Sequence, residues 1–345
     1  MSELPAGVPG IDVPRLASWL SGVLPAAGPI TAMDLLAGGR SNLTYRVTLA
    51  DSSLVLRRPP LGHVLPTAHD MAREHRVLSA LGASSDVPVP RTIAMCADQS
   101  VIGAPFYLME YVEGRVLRTL EDGADVTPQQ AGELSERLAE ALAAIHRVDV
   151  EKAGLADFGR PDGYMARQLK RWGQQWERSQ TRPLPEYDRL VERLGALMPA
   201  DAPARLVHGD FRLDNALARL EPRPEIAAVV DWEMSTLGDP LADLGLTLVY
   251  WAEAADLDVL PVGSTITAAP GFLTRAQFSD RYAELTGFDL TNLDFYVAFA
   301  CFKLAVIVEG IHARFLQHAT VGEGFENIGA AVPDLVARAH QTLDG

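Results

Sequence analysis

The first third of the chain carries short apolar stretches of strand length, separated by turn-forming residues. Residues 43–47 and 54–57 flank Asp51-Ser52-Ser53, so they predict a β-hairpin. Two further stretches, 91–95 and 106–112, predict additional strands. Between the hairpin and these two stretches, the apolar residues of 70–81 recur with helical spacing, and Asp70 is a candidate N-cap for that helix.

Beyond Gly114 the apolar residues recur every three or four positions, which is typical of helices. A helix is predicted from Thr127-Pro128 to about His146, because threonine is a good N-cap and proline is preferred in the first turn. The rest of the pattern predicts a helix at 164–179, short strands at 205–208 and 226–230, and helices from 241 onward apart from a loop at 260–271. A β-rich first third followed by a helical remainder predicts an α+β protein of two lobes with a ligand site between them.

Composition and charge narrow the function classes. The chain has 345 residues, 48% of them hydrophobic and 22% charged, and a net charge of -15. An acidic chain without a basic run argues against nucleic-acid binding, which depends on neutralising phosphates. The two cysteines, Cys96 and Cys301, show no metal-binding or disulfide spacing, and the N-terminus shows no signal-peptide pattern. We therefore expect a cytoplasmic protein with no membrane partner, in which the apolar segment 295–308 is a buried helix.

The strongest chemical signal is the sequence LVHGDFRLDN at 206–215. Its Asp210 and Asn215 are separated by four residues, a spacing that occurs in kinase catalytic loops. There the aspartate orients the attacking hydroxyl and accepts its proton, and the asparagine oxygen binds magnesium. The alternative is a polar turn that caps a helix.

The second signal is VVDWE at 229–233, which follows an apolar run. A carboxylate at the end of a buried strand is costly unless it meets a cation or hydrogen-bond donors. Asp231 therefore requires a partner, and magnesium bridging the phosphates of ATP is one that would suit it.

Together these motifs resemble the signature of the aminoglycoside-phosphotransferase-like kinases, a family that includes choline and small-metabolite kinases. HGDFRLDN corresponds to the HRD…N loop of eukaryotic kinases and VVDWE to their DFG segment, from which Trp232 and Glu233 depart. The resemblance extends from about residue 36 to residue 314. It implies a protein-kinase-like two-lobed fold, with an N-lobe at 1–112 that holds a five-stranded antiparallel sheet and a mostly helical C-lobe at 113–345. It also implies ATP and Mg²⁺ as cofactors and a small-molecule hydroxyl as phosphoryl acceptor.

The same resemblance implies roles for five N-terminal residues. Ser41, in GGRSN, would contact the phosphates, and Arg57 would bind them where kinases have a lysine, with Arg58 as the alternative. Glu74 would be the ion-pair partner of that arginine. Backbone groups around Glu110 and Val112 would bind adenine in a hinge.

Several other residues are expected to be structural. His208 should brace the catalytic loop, and Asp239 and Asp243 should cap a helix and anchor loops. Trp172 and Trp176 are expected to be core residues. Lys303 lies in an apolar stretch, where we expect a buried ion pair with a carboxylate, although Tyr296, Lys303 and Arg314 are also candidates to reach the acceptor.

The acceptor is less clearly encoded. The segment LRRPPLGHVLPTAHDMAREHRVLSAL is similar to the kinase-like domains fused to some acyl-CoA dehydrogenases, which implies a hydroxyacyl or hydroxyacyl-CoA acceptor. Arg167, Lys170 and Arg171 would then meet its anionic groups. The alternatives are a nucleotide-binding pseudokinase with a scaffold or sensor role and an aminoglycoside kinase, which the lack of an acidic cluster disfavours. A protein kinase is disfavoured by the missing GxGxxG loop.

Overall fold

The computed structural model describes residues 7–36, 42–61, 69–257, 264–317 and 327–345. The chain forms two compact units. Unit 1 comprises Met1–Glu113 and Ala227–Glu233, and unit 2 comprises Gly114–Ile226 and Met234–Gly345. The segment 227–233, which the sequence prediction assigned to the second lobe, belongs to unit 1. There the Val229 N–H donates to the Pro88 carbonyl at 2.7 Å.

Unit 1 is built on a five-stranded antiparallel sheet, which confirms the predicted sheet. Its elements are α1 (Val13–Val23), β1 (Ala32–Leu35), β2 (Leu43–Thr48), β3 (Ser53–Arg58), α2 (Met71–Ser84), β4 (Thr92–Cys96) and β5 (Phe106–Glu110). The strand order is β1-β2-β3-β5-β4. The predicted hairpin is β2–β3, and its register pairs Thr44 with Arg57.

Helix α2 of unit 1 begins directly after a capping residue. Asp70 accepts a hydrogen bond from the Arg73 amide and so caps α2, as predicted. Helix α1 was not predicted from the sequence. Its buried face, Val13, Leu16 and Leu20, packs in one apolar cluster with strand residues such as those of β2 and β3.

Unit 2 is mostly helical. Its helices are α3 (Pro128–His146), α4 (Tyr164–Ser179), α5 (Pro185–Ala196), α6 (Pro240–Tyr250), α7 (Arg275–Thr286), α8 (Leu293–Leu316) and α9 (Ala331–Asp344). Its short strands are β6 (Arg205–Val207), β7 (Ala216–Arg219) and β9 (Thr236–Gly238), and β8 (Glu225–Val229) begins in unit 2 and ends in unit 1. β6 pairs with β9, and β7 with β8. A capping box of Thr127 and Gln130 fixes the predicted start of α3.

Helix α8 forms the centre of unit 2. It packs against α6 and α9. By length and hydropathy it is apolar enough to cross a membrane, but 72% of its apolar window is buried inside the protein, as in the core helix of a globular domain. Phe302 of α8 stacks on Tyr187, which in turn stacks on Trp176 with ring centres 3.9 Å apart. This is the core role predicted for Trp176.

Candidate active site

Arg57 is the centre of the charged site in unit 1. Its Nε donates to the Glu74 carboxylate at 3.0 Å, its Nη1 donates to the Thr44 hydroxyl at 3.2 Å, and its Nη2 donates to Asp231 Oδ1. Arg57 and Glu74 are 7% and 2% exposed, so the ion pair is shielded from water. The structure thus brings together Arg57, Glu74 and Asp231, three residues that the sequence singled out.

Strand geometry explains why Arg57, and not Arg58, meets these carboxylates. Neighbouring side chains of a strand point to opposite faces of the sheet. Arg58 therefore turns the other way, where it donates to the carbonyl oxygens of Gly10, Ile102 and Pro59.

The charges of this cluster are unevenly balanced. Burial raises the pKa of Glu74 to about 7, and the negative charges of Asp231 and Glu233 add to that effect while Arg57 opposes it. Burial also lowers the pKa of Arg57, but Glu74, Tyr107 and the nearby aspartate raise it by more, so the net shift is upward. One guanidinium therefore faces the carboxylates of Glu74, Asp231 and Glu233. The guanidinium stays positively charged, but it neutralises the negative charge of Glu74 only in part.

Asp231 is held in an unusual backbone conformation. Its φ is +66°, in the left-handed region that favours glycine and is tolerated by aspartate at a cost. Next to it, the Trp232 indole N–H donates to the Val229 carbonyl at 3.0 Å. Strain of this kind persists where surrounding contacts overdetermine it, and it is enriched at functional sites.

A polar cluster that the sequence analysis only touched on lies beside Asp231. The buried Asn42 donates to Glu233 Oε2 at 3.0 Å, and the Nδ1 atom of His69 lies 2.8 Å from the Asn42 side-chain oxygen. Glu233, one of the two residues that depart from the DFG pattern, therefore accepts a defined hydrogen bond. Asn42 directly follows Ser41, which lies outside the described residues, as do the glycines before it.

The two predicted hinge residues differ in whether their backbone groups already form hydrogen bonds. The Glu110 amide donates to the Arg91 carbonyl at 2.9 Å, and its carboxylate accepts from the Arg91 amide at 2.9 Å. Among the described residues, the Val112 backbone has no hydrogen-bond partner.

In unit 2, Asp210 and Asn215 face one another. The Asn215 side-chain nitrogen donates to the Asp210 carbonyl at 2.8 Å and to its carboxylate Oδ2 at 2.9 Å. Because the nitrogen is used in this way, the amide is oriented with its oxygen away from Asp210. The structure therefore places the aspartate and the asparagine of the motif side by side in one loop.

A buried carboxylate holds the backbone of the loop that carries Asp210 and Asn215. Asp243, in the first turn of α6, accepts from the amides of His208 at 2.7 Å and Gly209 at 2.9 Å. His146 Nε2 lies 3.2 Å from the same carboxylate. Burial raises the pKa of Asp243, but His146 and the loop donors outweigh it, so the net shift is downward. Asp243 therefore anchors the loop as predicted. His208 also braces it, because its Nδ1 accepts from the Asp210 amide at 3.3 Å.

Sequence reasoning missed two residues that surround Asp210. Arg212 Nη2 lies 3.8 Å from the Asp210 carboxylate, and its guanidinium sits 4.6 Å from the centre of the Tyr250 ring. Burial and the adjacent Asp210 raise the pKa of Tyr250, so its hydroxyl keeps its proton. The position of Arg212 inside the HGDFRLDN motif was a usable signal, whereas nothing in the sequence marks Tyr250.

Two expectations about α8 were wrong. Lys303 makes no ion pair with a carboxylate in the part of the chain that the structure describes. Its Nζ donates instead to the Gly209 carbonyl at 3.0 Å. Tyr296 does not reach outward either, because it is buried and donates to Asp239 at 2.6 Å. Asp239 also caps α6 by accepting from the Leu241 amide, as expected.

Comparison with known proteins decides the family. The model of the "Phosphotransferase enzyme family" matches residues 33–296, more than half of the chain. The chain belongs to the phosphotransferase enzyme family. This phosphotransferase is also similar to a crystal structure of a "putative aminoglycoside phosphotransferase" from Ralstonia eutropha, with 32% identity, a TM-score of 0.82, and coverage of 96% of this chain and 98% of the other. The resemblance inferred from the motifs and the predicted fold class are confirmed.

The phosphotransferase is similar to two further proteins. It is 36% identical over 307 residues to mouse "Acyl-CoA dehydrogenase family member 10", covering 87% of this chain but only 28% of that protein. It shares the fold of spectinomycin phosphotransferase, solved with ADP and spectinomycin, at a TM-score of 0.63 and 12% identity over 97% of this chain and 99% of the other.

The side chains of the phosphotransferase fit a magnesium ion in their chemistry. Magnesium prefers oxygen ligands and is typically held by one or two carboxylates together with substrate phosphates. Asp231 and Asn215 offer a carboxylate and an amide oxygen. Among the described residues no group of three or more His, Cys, Asp or Glu side chains is arranged for a metal.

Proposed function

We propose that this phosphotransferase transfers the γ-phosphoryl group of ATP to the hydroxyl of a small molecule, with magnesium. The observation that carries the proposal is the pairing of Asp210 with Asn215 in a loop held by Asp243. Solved structures that share the fold contain ADP or GDP, which supports a nucleotide donor. The Arg57–Glu74 pair and Asp231 add the second charged cluster that a kinase reaction needs.

In the proposed reaction, Asp210 orients the acceptor hydroxyl and accepts its proton. The hydroxyl oxygen forms a bond to the γ-phosphorus while the bond from that phosphorus to the β-phosphate bridging oxygen breaks, which releases ADP. Arg57 and Ser41 hold the phosphates, and Val112 with Glu110 borders the adenine. Magnesium would neutralise developing charge on the phosphates, and Asn215 and Asp231 are the residues that would hold it.

We propose a hydroxyacyl or hydroxyacyl-CoA compound as the acceptor. Support comes from the similarity to a much longer protein whose name assigns it to the acyl-CoA dehydrogenases. The exposed cations Arg167, Lys170 and Arg171 on α4 would meet anionic parts of such a molecule. We further propose that the protein acts in the cytoplasm without nucleic-acid or membrane partners. Its net charge of -15 supports the absence of nucleic-acid binding.

The test is ADP release from ATP with a panel of hydroxy acids, hydroxyacyl-CoAs and aminoglycosides, compared between the wild type and Asp210→Asn. We expect acceptor-dependent ADP release with a hydroxyacyl compound, reduced at least about 100-fold in the variant. Turnover only with aminoglycosides would move the assignment to an antibiotic kinase. Tight ATP binding without turnover on any acceptor would favour a pseudokinase instead.

A further inference from the structure

One face of α6 follows the loop that carries Asp210. Asp243, Thr247 and Tyr250 are spaced by four and three residues, which places them on the same side of the helix. All three side chains are buried. Each of them meets a different part of the loop, so a single helix holds the loop at three points.

Two of these residues hold the backbone on either side of Asp210. Asp243 accepts from the amide of Gly209, the preceding residue, at 2.9 Å. The Thr247 hydroxyl lies 3.0 Å from the carbonyl oxygen of Phe211, the following residue, and 3.0 Å from the Asp243 carbonyl oxygen in its own helix. Thr247 is 1% exposed, so water does not compete for its proton. Side chains of α6 therefore fix the backbone both before and after Asp210.

The third residue, Tyr250, lies beside the side chain of Asp210. Its ring centre is 4.6 Å from the Arg212 guanidinium, and Arg212 Nη2 is 3.8 Å from Asp210 Oδ2. Burial raises the pKa of Tyr250, and Asp210 adds to that effect through its charge and through a side-chain hydrogen bond, while Arg212 acts in the opposite direction. The phenol therefore keeps its proton and donates it to the Asp210 carboxylate, while Arg212 packs on its ring.

The carboxylate of Asp210 is in need of a second support. Its side chain is 27% exposed, and its Oδ2 accepts from the Asn215 nitrogen at 2.9 Å. The last torsion of an aspartate is broad, so one hydrogen bond does not fix the plane of the carboxylate. A second donor on a buried helix fixes that plane, and with it the direction of the remaining lone pairs.

We propose that Tyr250 and Thr247 are positioning residues for Asp210, and that this face of α6 sets the direction in which its carboxylate meets the acceptor hydroxyl. The inference rests on the proposed function, because it takes Asp210 as the group that orients that hydroxyl and accepts its proton. Tyr250 and Thr247 act through Asp210 and not on the substrate. Their loss should therefore slow the chemical step and leave nucleotide binding unaltered.

The kinetic test uses variants that remove a single hydroxyl group. In Tyr250→Phe we expect kcat for ADP release with 3-hydroxybutyryl-CoA to fall about 10- to 100-fold, the effect of one hydrogen bond to a charged group. Thr247→Val should lower kcat about 3- to 10-fold, and Thr247→Ser, which keeps the hydroxyl, should restore it. KM for ATP should change less than about threefold in all three variants.

The matched control is Tyr187→Phe. The Tyr187 hydroxyl is buried and has no hydrogen-bond partner among the described residues, so its removal should leave kcat unaltered. An unchanged kcat in Tyr250→Phe would overturn the role of Tyr250. Equal losses in Thr247→Val and Thr247→Ser would mean that packing, and not the hydroxyl, accounts for the effect of Thr247.

A double-mutant cycle tests whether Tyr250 acts through Asp210. In the Asp210→Asn background, Tyr250→Phe should change the residual rate less than about threefold, because the carboxylate that the phenol orients is already absent. The same loss in both backgrounds would mean that Tyr250 only stabilises the fold.

A spectroscopic test needs no turnover and so separates this inference from the proposed function. The chain has eight tyrosines, and in protein labelled with ¹³Cζ-tyrosine the Tyr250 signal is identified by its absence from Tyr250→Phe. It should move in Asp210→Asn and stay in place in Asp280→Asn, a change at an exposed carboxylate of α7. A Tyr250 signal unmoved by Asp210→Asn would reject the contact even if the kinase activity is real. A moved signal without turnover on any acceptor would confirm the contact and count against the proposed function alone.

Discussion

At the scale of single residues, one guanidinium organises the charges of unit 1. Arg57 is the planar, permanently charged choice, and its three nitrogens contact Glu74, Thr44 and Asp231 separately. A lysine is a single charge on a flexible chain and could not hold these three partners in fixed directions. Arginine therefore gives the cluster its geometry as well as its charge.

The raised pKa of Glu74 predicts a specific dependence of stability on pH. Its ordinary value is 4.5 and its folded value about 7, so between these two pH values the folded state holds a proton that the unfolded state has lost. The free energy of unfolding should consequently fall as pH rises across that interval, by up to about 3 kcal/mol from this group. Urea unfolding of wild type and Glu74→Gln at pH 5 and pH 8 measures it. The glutamine variant should lack this part of the decline, and parallel curves would contradict the prediction.

Removing Arg57 alone should lower the free energy of unfolding more than removing both charges of the Arg57–Glu74 pair. At pH 8, Arg57→Met leaves Glu74 buried without its partner, which we expect to cost about 3–5 kcal/mol. At pH 5.5 the cost should be smaller, because Glu74 takes up a proton. A double-mutant cycle with Glu74→Gln, followed by urea unfolding at both pH values, measures the coupling. Additive losses at pH 8 would show that the two side chains do not interact.

At the scale of helices and strands, the sequence correctly predicted those elements that are fixed by interactions between neighbouring residues. The hairpin β2–β3, the Asp70 cap of α2 and the start of α3 at Thr127-Pro128 all depend on neighbours within a few residues. Helix α1 carried similar signals, an Asp12 cap and a short apolar stripe, but its 11 residues become stable only by packing on the sheet.

What the sequence did not predict depends on contacts between distant residues. Asp210 and Asn215 share one loop, so their pairing follows from their spacing. The partner of Lys303 is the backbone carbonyl of Gly209, 94 positions away, and no side-chain pattern marks a carbonyl. The grouping of 227–233 with unit 1 likewise involves a backbone hydrogen bond to Pro88.

The backbone conformation of the loop before Asp210 leads to a testable prediction. Gly209 has a φ of +85°, and a Cβ there would lie 2.6 Å from the Met234 carbonyl oxygen. Gly209→Ala should therefore displace Asp210, the proposed proton acceptor, and lower kcat at least about 100-fold, with a loss of about 1–3 kcal/mol in stability. Gly154 has a φ of +67°, but a Cβ at that position would meet nothing within 4 Å, so Gly154→Ala is a matched control. Equal kcat values for the two variants would show that the tight approach at Gly209 is irrelevant to the reaction.

At the scale of the whole molecule, the residues proposed to bind magnesium and nucleotide are divided between the two units. Arg57 and Asp231 belong to unit 1, and Asp210 and Asn215 belong to unit 2. The net charge of -15 would repel free ATP, so a bound nucleotide has to rely on a few placed cations and on magnesium. The metal should consequently be required for nucleotide binding and not only for the chemical step.

This requirement can be measured as a shift in melting temperature. A ligand at about 100 times its Kd stabilises the folded state by about 2.7 kcal/mol, which corresponds to a few degrees for a protein of this size. We expect that shift with ATP and Mg²⁺, and little of it with ATP and EDTA. Asp231→Asn and Asn215→Ala should each lose most of the metal-dependent part, because each removes one proposed oxygen ligand. Asp34→Asn, at an exposed carboxylate of β1, should keep it. If Asp231→Asn and Asn215→Ala both retained the full shift, neither residue would hold the metal, and the roles proposed for them would fail.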